Sequence, residues 1–162
     1  MTRINIIPPS ELSDQHLIAE YREITMVPGM LKRTLNSKVG LNINKIKKEY
    51  TLNEGHVYFF YDKGEYLDKR YTKLVDEMKS RGFKPNPDRR FPSEVFIEGL
   101  YNDWLPTLKE QCIIRQRIKE KIEKKPNWYR FTKKDKNPHI YAGRKGRKRK
   151  ETFPFPQRNL EK

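Results

Sequence analysis

Cysteine and histidine are scarce in this chain, which has one cysteine, Cys112, and three widely spaced histidines among 162 residues. A single cysteine excludes a disulfide framework within the chain, and the spacings provide neither a CxxC pair nor an HExxH zinc helix. The sequence also contains no Walker loop and no GxSxG nucleophile elbow. Its carboxylates are scattered rather than clustered as a magnesium-dependent nuclease would require. If the chain is an enzyme, we expect one that uses neither a metal nor another cofactor.

Long hydrophobic runs are also missing. No apolar segment approaches the roughly 20 residues that a membrane-spanning helix needs, and the amino end does not have the pattern of a signal peptide. We therefore expect a cytoplasmic protein without a membrane partner, and its length predicts one domain. Hydrophobic residues make up only 35% of the chain, although 12% are aromatic. Each aromatic side chain can bury about 150–250 Å², which makes a small core feasible.

Negative charge is the third deficit. Lys and Arg number 36 against 21 Asp and Glu, which gives a net charge of +15 and a pI near 9.9. Such a balance favours a polyanionic partner, because cations that contact phosphates release condensed counterions. Composition alone leaves three alternatives open: a DNA-acting protein, a structural RNA binder, or a basic surface that only aids solubility.

Hydrophobic periodicity predicts an all-α domain of about three main helices, with an extended amino-terminal arm and a basic carboxyl-terminal extension. Residues 2–9 are expected to be extended, because the pair Pro8-Pro9 disfavours a helix before it. The first helix is predicted over 11–26, capped by Ser10 or Ser13. Its apolar stripe consists of Leu17, Ile18, Tyr21 and Ile24.

The next two helices follow from the same periodicity. Pro28-Gly29 is expected to interrupt the first helix, with 30–37 adding a further turn or two. A second helix is predicted over 63–81, with Gly82 ending it. A third is predicted over 107–124. The residues expected to face the core are Leu67, Tyr71, Leu74 and Met78 in the second helix, and Leu108, Cys112 or Ile114, Ile118 and Ile122 in the third.

The remaining segments are predicted to be irregular or to stand outside the core. The apolar run 57–61 is expected to lead into the second helix, because no partner strand is evident. Residues 84–106 carry four prolines and are expected to form an irregular connection. The composition becomes basic and polar toward the end of the chain. We therefore expect a domain at 1–141 and a flexible basic tail at 142–162.

One face of the first predicted helix carries several groups that could do chemistry. His16, Glu20 and Glu23 follow at i, i+4 and i+7, which places them on one side of a helix, with Arg22 about 100° around from Glu23. The same spacing is typical of an ordinary solvated face with weak local ion pairs. Spacing alone therefore leaves both interpretations open.

The third predicted helix combines cations with a following aromatic pair. Arg117, Lys121 and Lys124 repeat at i, i+4 and i+7, and Trp128 and Tyr129 follow. Cations that meet phosphates beside rings that stack on bases are typical of nucleic-acid binding. The alternative is that the two rings cap the core while the cations are only solvated.

Eight short segments, spread over about residues 1–130, match a known family in the same order and at the same spacing. They are Met1-Thr-Arg-Ile-Asn5, Ser10-Glu-Leu12, Asp14-Gln-His-Leu17, Ala19-Glu-Tyr-Arg-Glu23, Gly55-His-Val57, Phe59-Phe-Tyr-Asp-Lys63, Arg81-Gly-Phe83, and Pro126 with Trp128-Tyr129. Together they resemble the phage pyrimidine-dimer DNA glycosylase family, also called phage endonuclease V. The resemblance implies a mostly helical domain whose amino-terminal arm passes between helices. It also implies double-stranded DNA with damaged pyrimidines as the partner, and we expect a monomer acting in a phage-infected cell.

The resemblance further implies the chemistry. After removal of Met1, the α-amine of Thr2 attacks the anomeric carbon at a cyclobutane pyrimidine dimer and forms a Schiff base. Glu23 supports this step and the β-elimination that nicks the strand, and Arg22 is counted with them as catalytic. An α-amine suits this task, because its reference pKa of about 7.7–8.0 leaves roughly a quarter of it neutral at pH 7.4, whereas lysine titrates near 10.4.

Further residues correspond to the DNA face of that family. Besides Trp128 and Tyr129, which match its aromatic recognition pair, the predicted DNA-binding residues are Arg3, Gln15, His16, Arg22, Arg117 and Lys121. The family extrudes a nucleotide opposite the lesion, which a poorly stacked dimer makes easier. Met26 departs from the pattern, which has an arginine there. Two alternatives stay open: the same chemistry on an oxidised base or abasic site, and a non-catalytic basic binding module.

Overall fold

Five α-helices form the part of the protein that the computed structural model describes, residues 3–132. They are α1 (Asp14–Glu23), α2 (Met26–Leu35), the single-turn α3 (His56–Phe59), α4 (Gly64–Ser80) and α5 (Leu108–Lys124), with 3-10 turns at Pro9–Glu11, Ile43–Lys45 and Ser93–Val95. No strand occurs in this part, so the all-α prediction is confirmed. Thr2 and the tail at 142–162 lie outside the described residues. No helix within 3–132 is long and apolar enough to cross a membrane.

The core lies where α1 packs against α4 and α2 against α1. The fully buried apolar side chains come from every helix and from the arm that precedes α1; among them are Ile4, Leu17, Leu31, Phe59, Leu67 and Ile114. Burying each such side chain contributes about 1.5–3 kcal/mol relative to exposure. All four predicted core positions of α4 are buried, and so are three of the four in the stripe of the first predicted helix, Leu17, Tyr21 and Ile24.

The boundary between the first two helices differs from the prediction. Ser13 caps α1 by accepting the backbone N–H of His16, so the helix begins later than expected. It ends at Glu23, and α2 starts at Met26. The predicted interruption at Pro28-Gly29 is therefore wrong. Pro28 lies in the first turn of α2, where its missing N–H would have no partner within the helix.

The two long helices have ends that the sequence determines. Gly82, with φ of +82°, follows α4; its N–H donates to Lys79 O and that of Phe83 to Met78 O, which is a Schellman motif. Thr107 and Glu110 form a capping box at the start of α5. Ile114 and Ile118 are buried, whereas Cys112 is exposed and Leu108 is 77% exposed.

The prediction that Leu108 faces the core is therefore wrong. Of the two alternatives Cys112 and Ile114, Ile114 faces the core. Ile114 is six positions after Leu108. At about 100° per residue this is roughly 120° short of two full turns, so the two side chains point to different faces of the helix. The connection at 84–106 is irregular apart from Ser93–Val95, and the run 57–61 forms α3 and the turn before α4. Both of these predictions are confirmed.

The amino-terminal arm (residues 3–12) is buried at residues 4–7 and at Leu12, and it forms no regular structure before Pro9. A buried backbone must find hydrogen-bond partners outside itself. Arg81 of the α4 C-cap donates to the carbonyl oxygens of Leu12, Pro9 and Ser10, and Arg70 of α4 donates to that of Ile7. Two buried arginines therefore supply hydrogen bonds that a neighbouring strand would otherwise provide.

Candidate active site

Glu20 and Glu23 of α1 point to the same side of the helix but have different surroundings. Glu20 is 1% exposed, and its carboxylate accepts two hydrogen bonds from Arg70, at 2.8 and 3.1 Å. Asn5 of the arm donates a third, at 3.0 Å. The alternative of a solvated polar face is therefore wrong for Glu20, which is fully paired inside the protein.

Glu23 is half-buried and faces the start of the arm. Its Oε2 accepts a hydrogen bond from the backbone N–H of Arg3 at 2.9 Å. Arg3 is held a second time through its side chain, which donates to the carbonyl of Leu52 at 3.0 Å. The carboxylate of Glu23 is thereby fixed beside the first peptide bond after Thr2.

A small cavity, called the cleft below, opens where the arm, α1 and α5 meet. Its volume is about 120 Å³, and its lining residues are Arg3, Asn5, His16, Ala19, Glu20, Glu23, Arg117, Ile118 and Lys121. Five of the site residues predicted from the sequence therefore come together, although they are spread over three elements. Lys124, which continues the i, i+4, i+7 series of Arg117 and Lys121, does not line the cleft.

His16 is neutral in this setting. Burial lowers its pKa to about 4, and the positive charge of Lys121 acts in the same direction. Its Nδ1 lies 2.8 Å from the hydroxyl of Ser13, which also accepts the backbone N–H of His16. Burial likewise lowers the pKa of Arg3, while Tyr50 and Glu23 raise it. The imidazole of His16 therefore adds no positive charge to that of the cations around the cleft.

Arg117 carries an unused donor into this region. Its Nε is buried and has no hydrogen-bond partner among residues 3–132. A buried donor without an acceptor destabilises a fold by about 1–3 kcal/mol, and such groups are rare in native proteins. An anion in the cleft, such as a phosphate oxygen, would supply the acceptor that the protein does not.

The carboxyl-terminal segment (residues 128–132) lies against the start of α1. The ring of Tyr129 stacks on that of His16, with centroids 4.6 Å apart and planes 9° from parallel. The side chain of Gln15 accepts the N–H of Arg130 and donates to the carbonyl of Trp128. Neither aromatic ring belongs to the apolar core or packs against it. The segment instead packs on His16, which lines the cleft.

A family model described as pyrimidine dimer DNA glycosylase matches residues 1–91. The chain belongs to this family. The matched residues include the arm and α1 to α4, and therefore Arg3 and Glu23, whereas Arg117 and Lys121 on α5 lie beyond them. Membership confirms the resemblance seen in the sequence and makes this protein a DNA-repair glycosylase with DNA as its substrate. Within residues 3–132, no group of three or more His, Cys, Asp or Glu side chains is arranged to hold a metal ion.

For this glycosylase, other predicted residues lie outside the cleft. Arg22 is exposed on α1 and does not line the cavity. Its carbonyl accepts from Arg89 at 3.2 Å, and its catalytic and DNA-binding roles stay predictions. Gln15 uses its amide within the protein, so a direct DNA contact by it also stays a prediction. Met26 is 47% exposed at the first position of α2.

The sequence reasoning missed several residues that build the glycosylase site. They are Asn5, Tyr50, His56 and Arg70, which hold the arm and Glu20 in place. Asn5 and His56 lie within the segments that carry the family resemblance, which is the one signal that could have identified them. Nothing in the sequence distinguishes Arg70 from the other 35 basic residues.

Proposed function

We propose that the protein is a DNA glycosylase and abasic-site lyase whose nucleophile is the α-amine of Thr2, with Glu23 beside it. The hydrogen bond from the Arg3 N–H to Glu23 carries the proposal. The α-amine of Thr2 is three covalent bonds from that amide nitrogen, so the two nitrogens are at most about 3.6 Å apart. Covalent geometry alone therefore keeps the amine within roughly 7 Å of the carboxylate.

The reaction needs two groups, an amine and an acid. The amine attacks C1′ of the damaged nucleotide, a bond forms between nitrogen and C1′, and the glycosidic bond breaks with its electron pair leaving on the base, which takes up a proton. Opening of the C1′–O4′ bond gives the Schiff base. Removal of a C2′ proton then expels the 3′ phosphate by β-elimination. Glu23 stabilises the cationic sugar and transfers the protons.

The nucleophile requires a free amino terminus at Thr2, and therefore removal of Met1. The small side chain of Thr2 is compatible with that processing. The reference pKa of an α-amine, about 7.7–8.0, provides a neutral fraction near pH 7 without burial, whereas a lysine would need its pKa depressed. This property makes a chain terminus well suited to imine formation.

The walls of the cleft suit a phosphate backbone and an exposed base. Arg3, Arg117 and Lys121 provide positive charge within one cavity, and the donor of Arg117 is available for an anion. The half-buried ring of Tyr129 and the partly exposed ring of Trp128 offer faces for stacking or wedging at the lesion. Such contacts help to offset the energy of extruding a nucleotide from the duplex. The basic run at 143–150 would add non-specific phosphate contacts.

Borohydride trapping on a dimer-containing duplex tests the proposal. Protein with a free Thr2 amine should form a covalent adduct, whereas protein that retains Met1 or is acetylated should bind the duplex and form none. Equal trapping by the blocked protein would assign the nucleophile to another amine, and no trapping by bound, unblocked protein would exclude the imine. A purely binding module would be insensitive to the block.

The departure at Met26 motivates a second candidate, the same chemistry on another lesion. An exposed thioether at the start of α2 cannot provide the phosphate contact that the arginine of the family pattern makes. Turnover on dimer, oxidised-base and abasic duplexes separates the candidates. Preference for the dimer supports the first, and a strong preference for another lesion supports the second.

A further inference from the structure

The arm is clamped at Ile4, two residues after Thr2, by side chains from residues 50–56. The Ile4 N–H donates to Nε2 of His56 at 2.9 Å, and the hydroxyl of Tyr50 donates to the Ile4 carbonyl at 3.0 Å. Ile4 itself is fully buried. Both polar groups of this one residue are therefore fixed by side chains distant in sequence.

The clamp requires a neutral His56 in one tautomer. Nδ1 lies 2.7 Å from the carbonyl of Thr51, which can only accept, so Nδ1 carries the hydrogen and Nε2 presents its lone pair to Ile4. Burial lowers the pKa of His56 and outweighs the opposite effect of the Thr51 carbonyl. Burial also raises the pKa of Tyr50, so its hydroxyl stays protonated as a donor.

The imidazole has little freedom to find another arrangement. The rings of Tyr50 and Phe60 each meet it edge-on, with centroids 5.4 Å away. The charged or titratable groups around it are Arg3 and Tyr50. Lys45, Lys47, Glu54, Tyr58 and Tyr61 line a second cavity that His56 also borders. None of these is an acceptor that the structure pairs with the Ile4 N–H, so loss of Nε2 leaves a buried donor unsatisfied.

We propose that His56, together with Tyr50, is a positioning residue for the nucleophile: it fixes the Ile4 peptide, and through it the hydrogen bond of Arg3 to Glu23 and the place of the Thr2 amine. This inference rests on the proposed function of Thr2. A displacement of about 1 Å at a reacting group can lower a rate about 100-fold. The clamp lies outside the cleft lining, so it acts on the rate of imine formation rather than on DNA affinity.

His56→Leu and His56→Gln test the role of the imidazole. His56→Leu should lower the single-turnover rate of borohydride trapping by about 10- to 100-fold while the Kd for dimer duplex changes by less than threefold. His56→Gln should restore most of the rate, because its amide oxygen can accept from Ile4. Trapping by His56→Leu at the wild-type rate would overturn the inference, and so would an equal loss in both variants when their Tm values agree.

A matched pair of tyrosine variants keeps the test decisive even where His56→Leu does not fold. Tyr50→Phe and Tyr71→Phe each remove a hydroxyl that donates to a backbone carbonyl, of Ile4 and of Arg89 at 2.7 Å respectively. The two residues are 7% and 8% exposed, so the stability losses should be similar. Only Tyr50→Phe should slow trapping. Equal slowing in both would show a general stability effect and overturn the inference.

The pH profile provides a readout that a structural role alone would not move. As the pH falls, wild-type trapping should slow first as the amine is protonated near its ordinary pKa of about 7.7–8.0. It should slow again in acid, below the ordinary histidine value, as His56 is protonated, whereas His56→Gln should lack this second decline. Identical profiles would overturn the positioning role. If the acetylated wild type still traps, the proposed nucleophile fails instead, so the two failures are distinguishable.

Discussion

The floor of the cleft (Asn5, Glu20 and the underlying Arg70) and its α5 wall (Arg117 and Lys121) carry charge in opposite ways. The carboxylate of Glu20 is paired inside the protein with two nitrogens of Arg70 and the amide of Asn5. Arg117 and Lys121 have no ion-pair partner within residues 3–132, and one nitrogen of Arg117 is buried without an acceptor.

The difference separates charged groups that are paired within the protein from cations that have capacity left for a ligand. A buried pair such as Glu20–Arg70 holds the arm and α1 in register but has no capacity left for a ligand. An incompletely satisfied cation at the edge of a cavity is suited to binding an anion. Glu23 stands between the two, since it is half-buried and accepts a hydrogen bond from the backbone N–H of Arg3.

Substitution of Glu23 should have the largest effect on turnover. Glu23→Gln keeps the shape but removes the charge, and we expect single-turnover base release to fall about 10²–10⁴-fold, the range for loss of an acid–base group. DNA affinity should be largely retained. Glu123→Gln on the exposed face of α5 is the matched control. Base release by Glu23→Gln close to that of the control would remove Glu23 from the chemistry.

The opposite pattern is expected at the floor. Glu20→Gln leaves the buried charge of Arg70 without its counterion, and we expect the free energy of unfolding to fall by about 3–5 kcal/mol in urea titrations. The double variant Glu20→Leu, Arg70→Met should be more stable than Glu20→Gln, because neither charge is then buried alone. A stability loss below about 1 kcal/mol for Glu20→Gln would place the Glu20–Arg70 pair in the range of exposed pairs. Glu20 would then not be the structural charge that we contrast with Glu23.

A smaller effect, confined to binding, is expected at the wall. Arg117→Met should weaken dimer-duplex binding and lower the slope of log K against log salt by about 1, the value for one lost phosphate contact. Lys119→Met, an exposed cation two residues away that lies 3.9 Å from Glu123, is the control. Equal changes in slope for both variants would mean that α5 acts only through its net charge.

The last effect, which is smallest because it vanishes at neutral pH, concerns acid stability at His16, between floor and wall. Its pKa in the folded protein is about 4 against an ordinary 6.5. Below pH 6.5 the unfolded chain therefore binds a proton that the folded chain does not, and stability should fall as the pH drops from 6.5 toward 4, then level off. Tm measured against pH should be flatter in that window for His16→Gln. Parallel curves would show that His16 titrates normally.

Local patterns predicted the helices well and their long-range partners poorly. The stripe of α4 and the stop at Gly82 depend on residues within one or two turns, so they are readable from sequence. The break before Met26 and the outward turn of Leu108 depend on where each helix meets the core, and periodicity does not encode this. A proline in a helix can mark an interruption or a first turn, and only the packing decides between them.

The site shows the same division. The family resemblance identified His16 and Glu23 on α1, and helix spacing together with that resemblance identified the two cations of α5; these residues lie together in the cleft. The clamp at Ile4 could not be derived, because a side chain that bonds a backbone N–H about fifty residues away leaves no spacing pattern. The family match supports the activity and the substrate, while the individual roles of the site residues rest on the geometry and on the tests above.

The partners of the arm have a consequence for the order in which the protein is made. Arg3–Leu12 is synthesised first, yet the groups that hold it, Tyr50, His56, Arg70 and Arg81, follow about 45 to 75 residues later. Until α4 has left the ribosome, residues 3–12 lack the hydrogen bonds from Arg70 and Arg81. We expect the proposed removal of Met1 to fall in this interval, before the completed fold buries residues 4–7. If Thr2 is the nucleophile, as proposed, the timing of amino-terminal processing and the folding of the arm belong to one sequence of events.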